Sequence, residues 1–268
     1  MHLLIVRHAL VHYGTRPALD PNPYLAGLGV RQAAALADRL AGAGLTHVYT
    51  SPAVRCLQTA SSICAAAGLP ASVVPWLSES GWVWGYAVPP LTDLRRHFQG
   101  DVAAEPVDEE WAMARDERAD IPRVADSALA ARGQAVARTL FGRHPREGTD
   151  RVCLVTHAGF GAASLLPSLL GVDRATASGD FDNATLTELR CEPGRTRILR
   201  SNDGRHLAGL QAVLCSNPAC AAEPSPHWED QVCRLCGSPM LAKCPHCGVA
   251  AIPNPVPARC PECAQSYR

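Results

Sequence analysis

Eight of the twelve cysteines fall between Cys215 and Cys263, and they come in four close pairs. These are Cys215/Cys220, Cys233/Cys236, Cys244/Cys247 and Cys260/Cys263. Two thiolates a few residues apart grip one ion from a single turn, and a second pair completes a tetrahedron. The first four read C-x4-C-x12-C-x2-C and the last four C-x2-C-x12-C-x2-C. Cys220 and Cys247 are 27 residues apart, as are Cys236 and Cys263, which is the mark of an internal duplication. The surrounding chain is rich in Pro and Gly and has few long apolar runs. Burial alone cannot fold such a segment, so metal ligation must supply much of its stability. The spacing therefore predicts two structural zinc ions, each closed by four sulfurs. Consecutive pairing is the simplest assignment; a crossed one, with the outer pairs sharing an ion, stays open. His227 and His246 are spare.

The tail resembles a double zinc ribbon. Its basic residues are few (Arg234, Lys243, Arg259, Arg268) and form no run. That favours protein contact or simple packing and makes nucleic acid an unlikely partner. Composition changes near Leu210. The boundary is placed at Gly209 to Ala212, with one domain over 1–209 and the ribbon module over 213–268.

The first domain has the material for a packed core, since 47% of the 268 residues are hydrophobic and 19% charged. Lys+Arg and Asp+Glu are both 25, so no global charge draws the chain to nucleic acid or membrane. No stretch approaches the roughly 20 apolar residues that span a bilayer. MHLLIVRH is no signal peptide. Cys56, Cys64, Cys153 and Cys191 are scattered, which with the clustered pairs suits a reducing cytoplasm.

Strands are expected at His2 to Val6, Thr46 to Thr50 and Val152 to Thr156, and edge strands at Ala184 to Leu189 and Arg197 to Arg200. Helices are expected over Gly29 to Leu40, Pro52 to Ala67 (Pro in the first turn, Gly68 past the end), Ser127 to Phe141 and Gly161 to Leu170. Pro75 to Pro90 reads as an aromatic-lined loop and Asp101 to Asp126 as an acidic surface insertion. The alternation implies an α/β domain with a mostly parallel sheet, in which ligands sit at the carboxyl ends of strands.

Two histidines fall at such ends, His8 and His157. A neutral imidazole can attack phosphorus. The transferred group then needs fixed donors, and the fork of arginine suits phosphate oxygens. Arg7 adjoins His8. Arg55 lies near a helix start, where free N–H groups add to the site. Singly, each of these residues has a plain structural reading. Together, at strand ends of one domain, they point to phosphate chemistry.

The same residues carry a resemblance. LLIVRH, LAGLGVRQA (Leu25 to Ala33), VYTSPAVRCLQTA (Val48 to Ala60), WLSESGWVWG (Trp76 to Gly85), VCLVTHAG (Val152 to Gly159) and SNDGRHL (Ser201 to Leu207) occur in one order. In that order they resemble the histidine phosphatase, or phosphoglycerate-mutase-like, superfamily. The resemblance implies a three-layer α/β fold and a phosphatase acting on phosphorylated small molecules or phosphoproteins. His8 would be the phosphorylated nucleophile. Arg7, Arg55 and His157 would hold phosphoryl oxygens, and Glu79 would be the general acid. Trp76, Trp82 and Trp84 near Glu79 would raise its pKa. Catalysis would need no metal. Two departures stand out. Ala9 replaces a frequent glycine, and Leu10, Val11 and Gly14 stand where a hydroxyl or Asn is frequent, leaving His12, Tyr13 or Thr15 as substitutes. The loop around Glu79 is also short, which with the single catalytic domain favours hydrolysis over a mutase. The alternative is a catalytically silent module that binds a phosphorylated ligand while its ribbons engage a protein or nucleic acid.

Overall fold

A computed structural model describes residues 1–11, 22–79, 104–105, 126–173, 181–225, 230–248, 252–254, 256–260 and 263–267. Its centre is a sheet whose first strand, β1, is His2–Arg7. The run LLIV is buried on both faces, as a central parallel strand requires. Leu4 and Val6 point into one apolar cluster, Leu3 and Ile5 into another. The other strands are β2 (His47–Thr50), β3 (Ala71–Val73), β4 (Ala104–Glu105), β5 (Arg151–Thr156), β6 (Leu186–Glu192) and β7 (Arg195–Asp203). Among the described residues the sheet order is β4-β3-β2-β5-β1-β6-β7. The first five in that order run parallel, while β6 and β7 are antiparallel to their neighbours.

Helices α1 (Gly27–Leu40) and α2 (Val54–Ala67) cover one face. Helix α3 (Asp126–Arg143) and the helical stretch after β5 cover the other. The result is a three-layer α/β fold with a mostly parallel sheet, as expected. Gly68 ends α2 in the left-handed region at φ 67°, also as expected.

Several expectations need correction. Pro52 lies outside α2; the helix starts at Val54, whose N–H donates to Asn22 Oδ1 at 2.8 Å. That cap comes from 32 residues away, so no local pattern marks it. Strand β6 is not an edge, since it pairs with β1 and β7. Its polar side chains are buried with partners: Thr187 Oγ1 accepts from Asn202 N, and Glu188 pairs with Arg151 and Arg200. Of the two strands expected at an edge, β7 lies there. The helix after β5 begins at Ala158, not Gly161, as α4 (Ala158–Phe160), a π segment (Gly161–Leu165) and α5 (Leu166–Leu170). Gly159 and Gly161 obscure that start in the sequence. Strands β3 and β4 were not foreseen. Most of the aromatic loop, the acidic insertion and His12, Tyr13 and Thr15 lie outside the described residues, as does His227.

In the tail, β8 (Gln211–Ala212) pairs with β11 (Ile252–Pro253), and β9 (Leu214–Cys215) with β10 (Met240–Leu241). Its apolar clusters are small and built largely from the cysteines: Leu214, Ile252 and Tyr267 with Cys244 and Cys260, then Cys215, Cys220 and Cys233. Among the described residues, no helix is long and apolar enough to cross a membrane.

Candidate active site

Strand β1 ends at Arg7, and His8 extends its ladder by one bond, N–H to Thr156 O at 2.9 Å. His8 is buried, and its Nδ1 lies 2.8 Å from Ala9 O. A carbonyl only accepts, so Nδ1 carries the proton and Nε2 keeps its lone pair. Burial, then the charges of Arg55 and Arg7, hold this imidazole well below its usual pKa of 6.5. It is neutral near pH 7, the form a nucleophile needs. Ala9 is not among the residues with positive φ. Alanine therefore costs nothing there, and its N–H donates to Thr59 Oγ1 at 3.0 Å.

The segment that leads into β6, the strand beside β1, fixes this corner. Arg7 donates to Phe181 O at 2.7 Å, and Asn183 Nδ2 to His8 O at 3.0 Å. Ala184, at φ 56°, donates its N–H to Arg7 O at 3.1 Å. Asn202, within the SNDGRHL stretch, braces that loop by accepting from Asp182 N at 2.8 Å.

His157 follows β5 as His8 follows β1, and the two rings stand 5.3 Å apart, edge to face. Arg55, in the first turn of α2, has Nη2 3.1 Å from His157 Nδ1. A guanidinium only donates, so Nδ1 accepts and Nε2–H donates to Ser51 Oγ at 2.8 Å. Burial is the main reason the pKa of His157 lies well below 6.5; Arg55, His8, Arg7 and Arg132 add to it. As a donor to phosphate this ring would have to be protonated; here it is neutral and accepts from Arg55. An arriving phosphate dianion would compete for Arg55 and favour a proton on Nδ1.

Glu79 joins this group from the segment after β3. Its carboxylate accepts from Phe160 N at 3.0 Å and Gly159 N at 3.4 Å, at the start of α4. The aromatic wall expected around it rests on Trp82 and Trp84, outside the described residues; Trp76 is half-buried beside the cluster holding Leu77 and Phe160.

Sequence reasoning missed Arg132. It is buried in α3, donates Nη2 to Ser78 O at 2.9 Å and lies over the Phe160 ring at 4.3 Å. Burial lowers its pKa to about 10, against the opposing charge of Glu79. A signal was present: Arg132 falls on the apolar stripe of α3 with Leu129, Val136 and Leu140, where a charge needs a reason. Ser51, Asn183 and Asn202 carried no such signal.

The LAGLGVRQA stretch lies behind His8. Buried Gln32 accepts from Leu10 N at 2.9 Å. A Cβ on Gly29 would sit 1.9 Å from Leu10 O. Gly29→Ala is therefore expected to push the segment after His8 outward and cost about 1–3 kcal/mol. Thermal unfolding would show it as a drop of about 2–4 °C in Tm per kcal/mol. An unchanged Tm would contradict that close approach.

The tail cysteines fall into consecutive sets: Cys215, Cys220, Cys233 and Cys236, then Cys244, Cys247, Cys260 and Cys263. Within each set the sulfurs lie within 4.8 Å of one another, so the crossed arrangement does not occur. Sulfur–sulfur distances include Cys215–Cys236 at 3.4 Å, Cys220–Cys233 at 3.9 Å, Cys244–Cys263 at 3.8 Å and Cys247–Cys260 at 3.7 Å. A tetrahedral ion with metal–sulfur bonds of about 2.3 Å needs sulfurs about 3.8 Å apart. A disulfide needs about 2.05 Å. Both sets fit a metal ion and neither is a disulfide.

Solved structures share the fold. A mycobacterial glucosyl-3-phosphoglycerate phosphatase in complex with VO3 is 25% identical, with a TM-score of 0.53, covering 75% of this chain and 98% of its own. A phosphoserine phosphatase variant from Entamoeba histolytica, in complex with phosphoserine, is 16% identical, with a TM-score of 0.51, covering 77% and 98%. No curated protein matches the sequence. The segments that build the His8 corner all lie within residues 3–204, which match the histidine phosphatase superfamily (branch 1), and the chain belongs to that superfamily.

Proposed function

We propose that the chain is a phosphomonoester phosphatase working through a phosphohistidine on His8. His8 Nε2 attacks phosphorus, and the N–P bond forms as the ester P–O bond breaks. Glu79 gives the leaving oxygen its proton. Water then attacks phosphorus and loses a proton to Glu79; the N–P bond breaks, and inorganic phosphate leaves. Arg7, Arg55 and His157 hold the equatorial oxygens in both steps. The observation that carries this reading is the His8 tautomer: Nδ1 is spent on Ala9 O, so Nε2 is the reactive atom. The similar mycobacterial and amoebic phosphatases favour a phosphorylated small molecule as substrate.

The full chain should turn over an aryl phosphate, and at least one member of a panel of sugar phosphates, nucleotides and phosphoamino acids, without added metal. Rapid quench should trap an acid-labile phosphoryl label on His8. No turnover across the panel and no label would overturn the reading.

Residues 1–209 then form the catalytic domain, and 213–268 a ribbon module holding two structural zinc ions for protein contact or packing. The reduced thiols fit a cytoplasmic setting.

Arg132 acts through the Ser78–Glu79 segment as a positioning residue. Arg132→Met is expected to lower kcat on the order of 10²-fold with little change in KM. Arg132→Lys should recover part of the loss. Equal changes in kcat and KM, or no recovery with Lys, would mean the residue only packs.

A further inference from the structure

We propose that His47, His144 and Asp150 form a third metal site, one that takes a borderline divalent ion such as Zn²⁺ or Ni²⁺. His47 opens β2, and Asp150 immediately precedes β5. Ser51 and His157 follow the other ends of these same parallel strands. The trio is therefore at the opposite end of the sheet from His8. His144 comes from the turn after α3 and is buried, while His47 is exposed.

The donor set is the first ground. One donor atom from each of the three residues lies within 4.8 Å of the others. His144 Nδ1 is 2.8 Å from Asp150 Oδ2, and the His47 and His144 rings are 4.5 Å apart at 64°. Metal–nitrogen and metal–oxygen bonds of about 2.1 Å place tetrahedral donors about 3.4 Å apart. To take an ion, the His144–Asp150 pair must open by about half an ångström, and His47, with its donor within 4.8 Å of the others, must close by about an ångström at most, which its exposed side chain can supply by turning. Two imidazoles and one carboxylate suit zinc, nickel or copper better than magnesium or calcium.

The second ground is the outer layer. A ligating histidine has its other ring nitrogen held by a hydrogen bond. Tyr49 Oη lies 2.9 Å from His144 Nε2, so an ion would take Nδ1 in place of the proton it now shares with Asp150 Oδ2, and Thr46 Oγ1 lies 3.0 Å from His47 Nδ1. Three protein ligands leave a position open to water. A bound ion would tie the start of β2 to the turn after α3.

The test uses the full chain with its tail sites zinc-loaded and excess metal removed. Calorimetric titration should show one Ni²⁺ per chain in the wild type. His47→Ala and Asp150→Asn should each weaken this binding by more than about tenfold. Ni²⁺ should raise the Tm of the wild type and of neither variant. His47 is exposed, so its replacement leaves the core intact. Absence of nickel binding by the wild type, or equal binding by wild type and both variants, overturns the proposal and leaves the trio a hydrogen-bonded ion pair. Neither result depends on phosphatase activity.

Discussion

His8→Ala is expected to lose hydrolysis on the order of 10⁴-fold or more in kcat/KM while the fold survives. The side chain is buried but small, and its structural role is narrow. Its imidazole hydrogen-bonds the neighbouring Ala9 carbonyl. The backbone contacts of this corner, His8 N to Thr156 O and Asn183 Nδ2 to His8 O, do not involve the imidazole. Removing the ring therefore removes a reacting atom and leaves the ladder in place. The phosphate donors also survive, so the variant should still bind vanadate or phosphate. The wild type adds a pH signature. His8 must be neutral to attack, and burial with Arg55 and Arg7 keeps its pKa well below 6.5. In the free enzyme, the acid limb of kcat/KM arising from His8 should thus lie well below pH 6.5, not at it. Retained turnover in His8→Ala would remove the phosphohistidine step from the mechanism.

How legible this site was depends on how far each residue reaches along the chain. Arg7, His8 and His157 were readable because a buried parallel strand leaves a plain mark and its end is where ligands bind. Arg55 was readable because it follows β2 within a few residues. The residues that hold them were not. Ser51 meets His157 across 106 positions, and Asn183 meets His8 across 175. Such pairs are made by the fold, not by local pattern. Gln32 lay inside a recognised stretch, yet its contact with Leu10 N depends on α1 closing to within a Cβ of that backbone. The same divide runs through the fold. The runs in β1 and β5 and the apolar spacing of α1 were plain. Strand β3 has three residues and β4 has two, too few for any period to emerge. Strand β6 carries a buried Glu188 satisfied by arginines from β5 and β7, so it looks half-exposed in sequence when it is interior. The cysteine sets were the opposite case. Metal geometry dictates spacing so tightly that the four pairs were plain, while the fold alone decides which pairs share a set.

Stripping the metal from the tail is expected to unfold it while leaving most of the catalysis. Each proposed four-thiolate zinc site contributes on the order of 10–16 kcal/mol of apparent binding energy near neutral pH. Little else could hold the segment: its ladders are two residues long, and its clusters are built around the ligating cysteines. Four thiolates brought together without an ion repel one another, so the folded form is lost rather than loosened. The α/β domain has its own core of two large clusters and should not follow. The two parts do touch. Asn254 N–H donates to Leu210 O at 3.0 Å, and Gln211 Oε1 accepts from Gln32 Nε2 at 3.2 Å. Gln32 in turn holds Leu10 N, two residues after His8. Losing the Gln211 contact costs about 1 kcal/mol, a few-fold in rate at most, because the bond to Leu10 remains. A strong chelator should therefore release about two zinc ions from the tail of each chain, abolish the slow amide exchange of the tail, and reduce kcat/KM only a few-fold. Cys244→Ser with Cys247→Ser should reproduce the second site's share without chelator. Complete loss of turnover, restored by zinc, would show that a metal takes part in the reaction or that the ribbons are needed to hold the pocket. An unchanged tail after metal removal would mean that burial folds it after all.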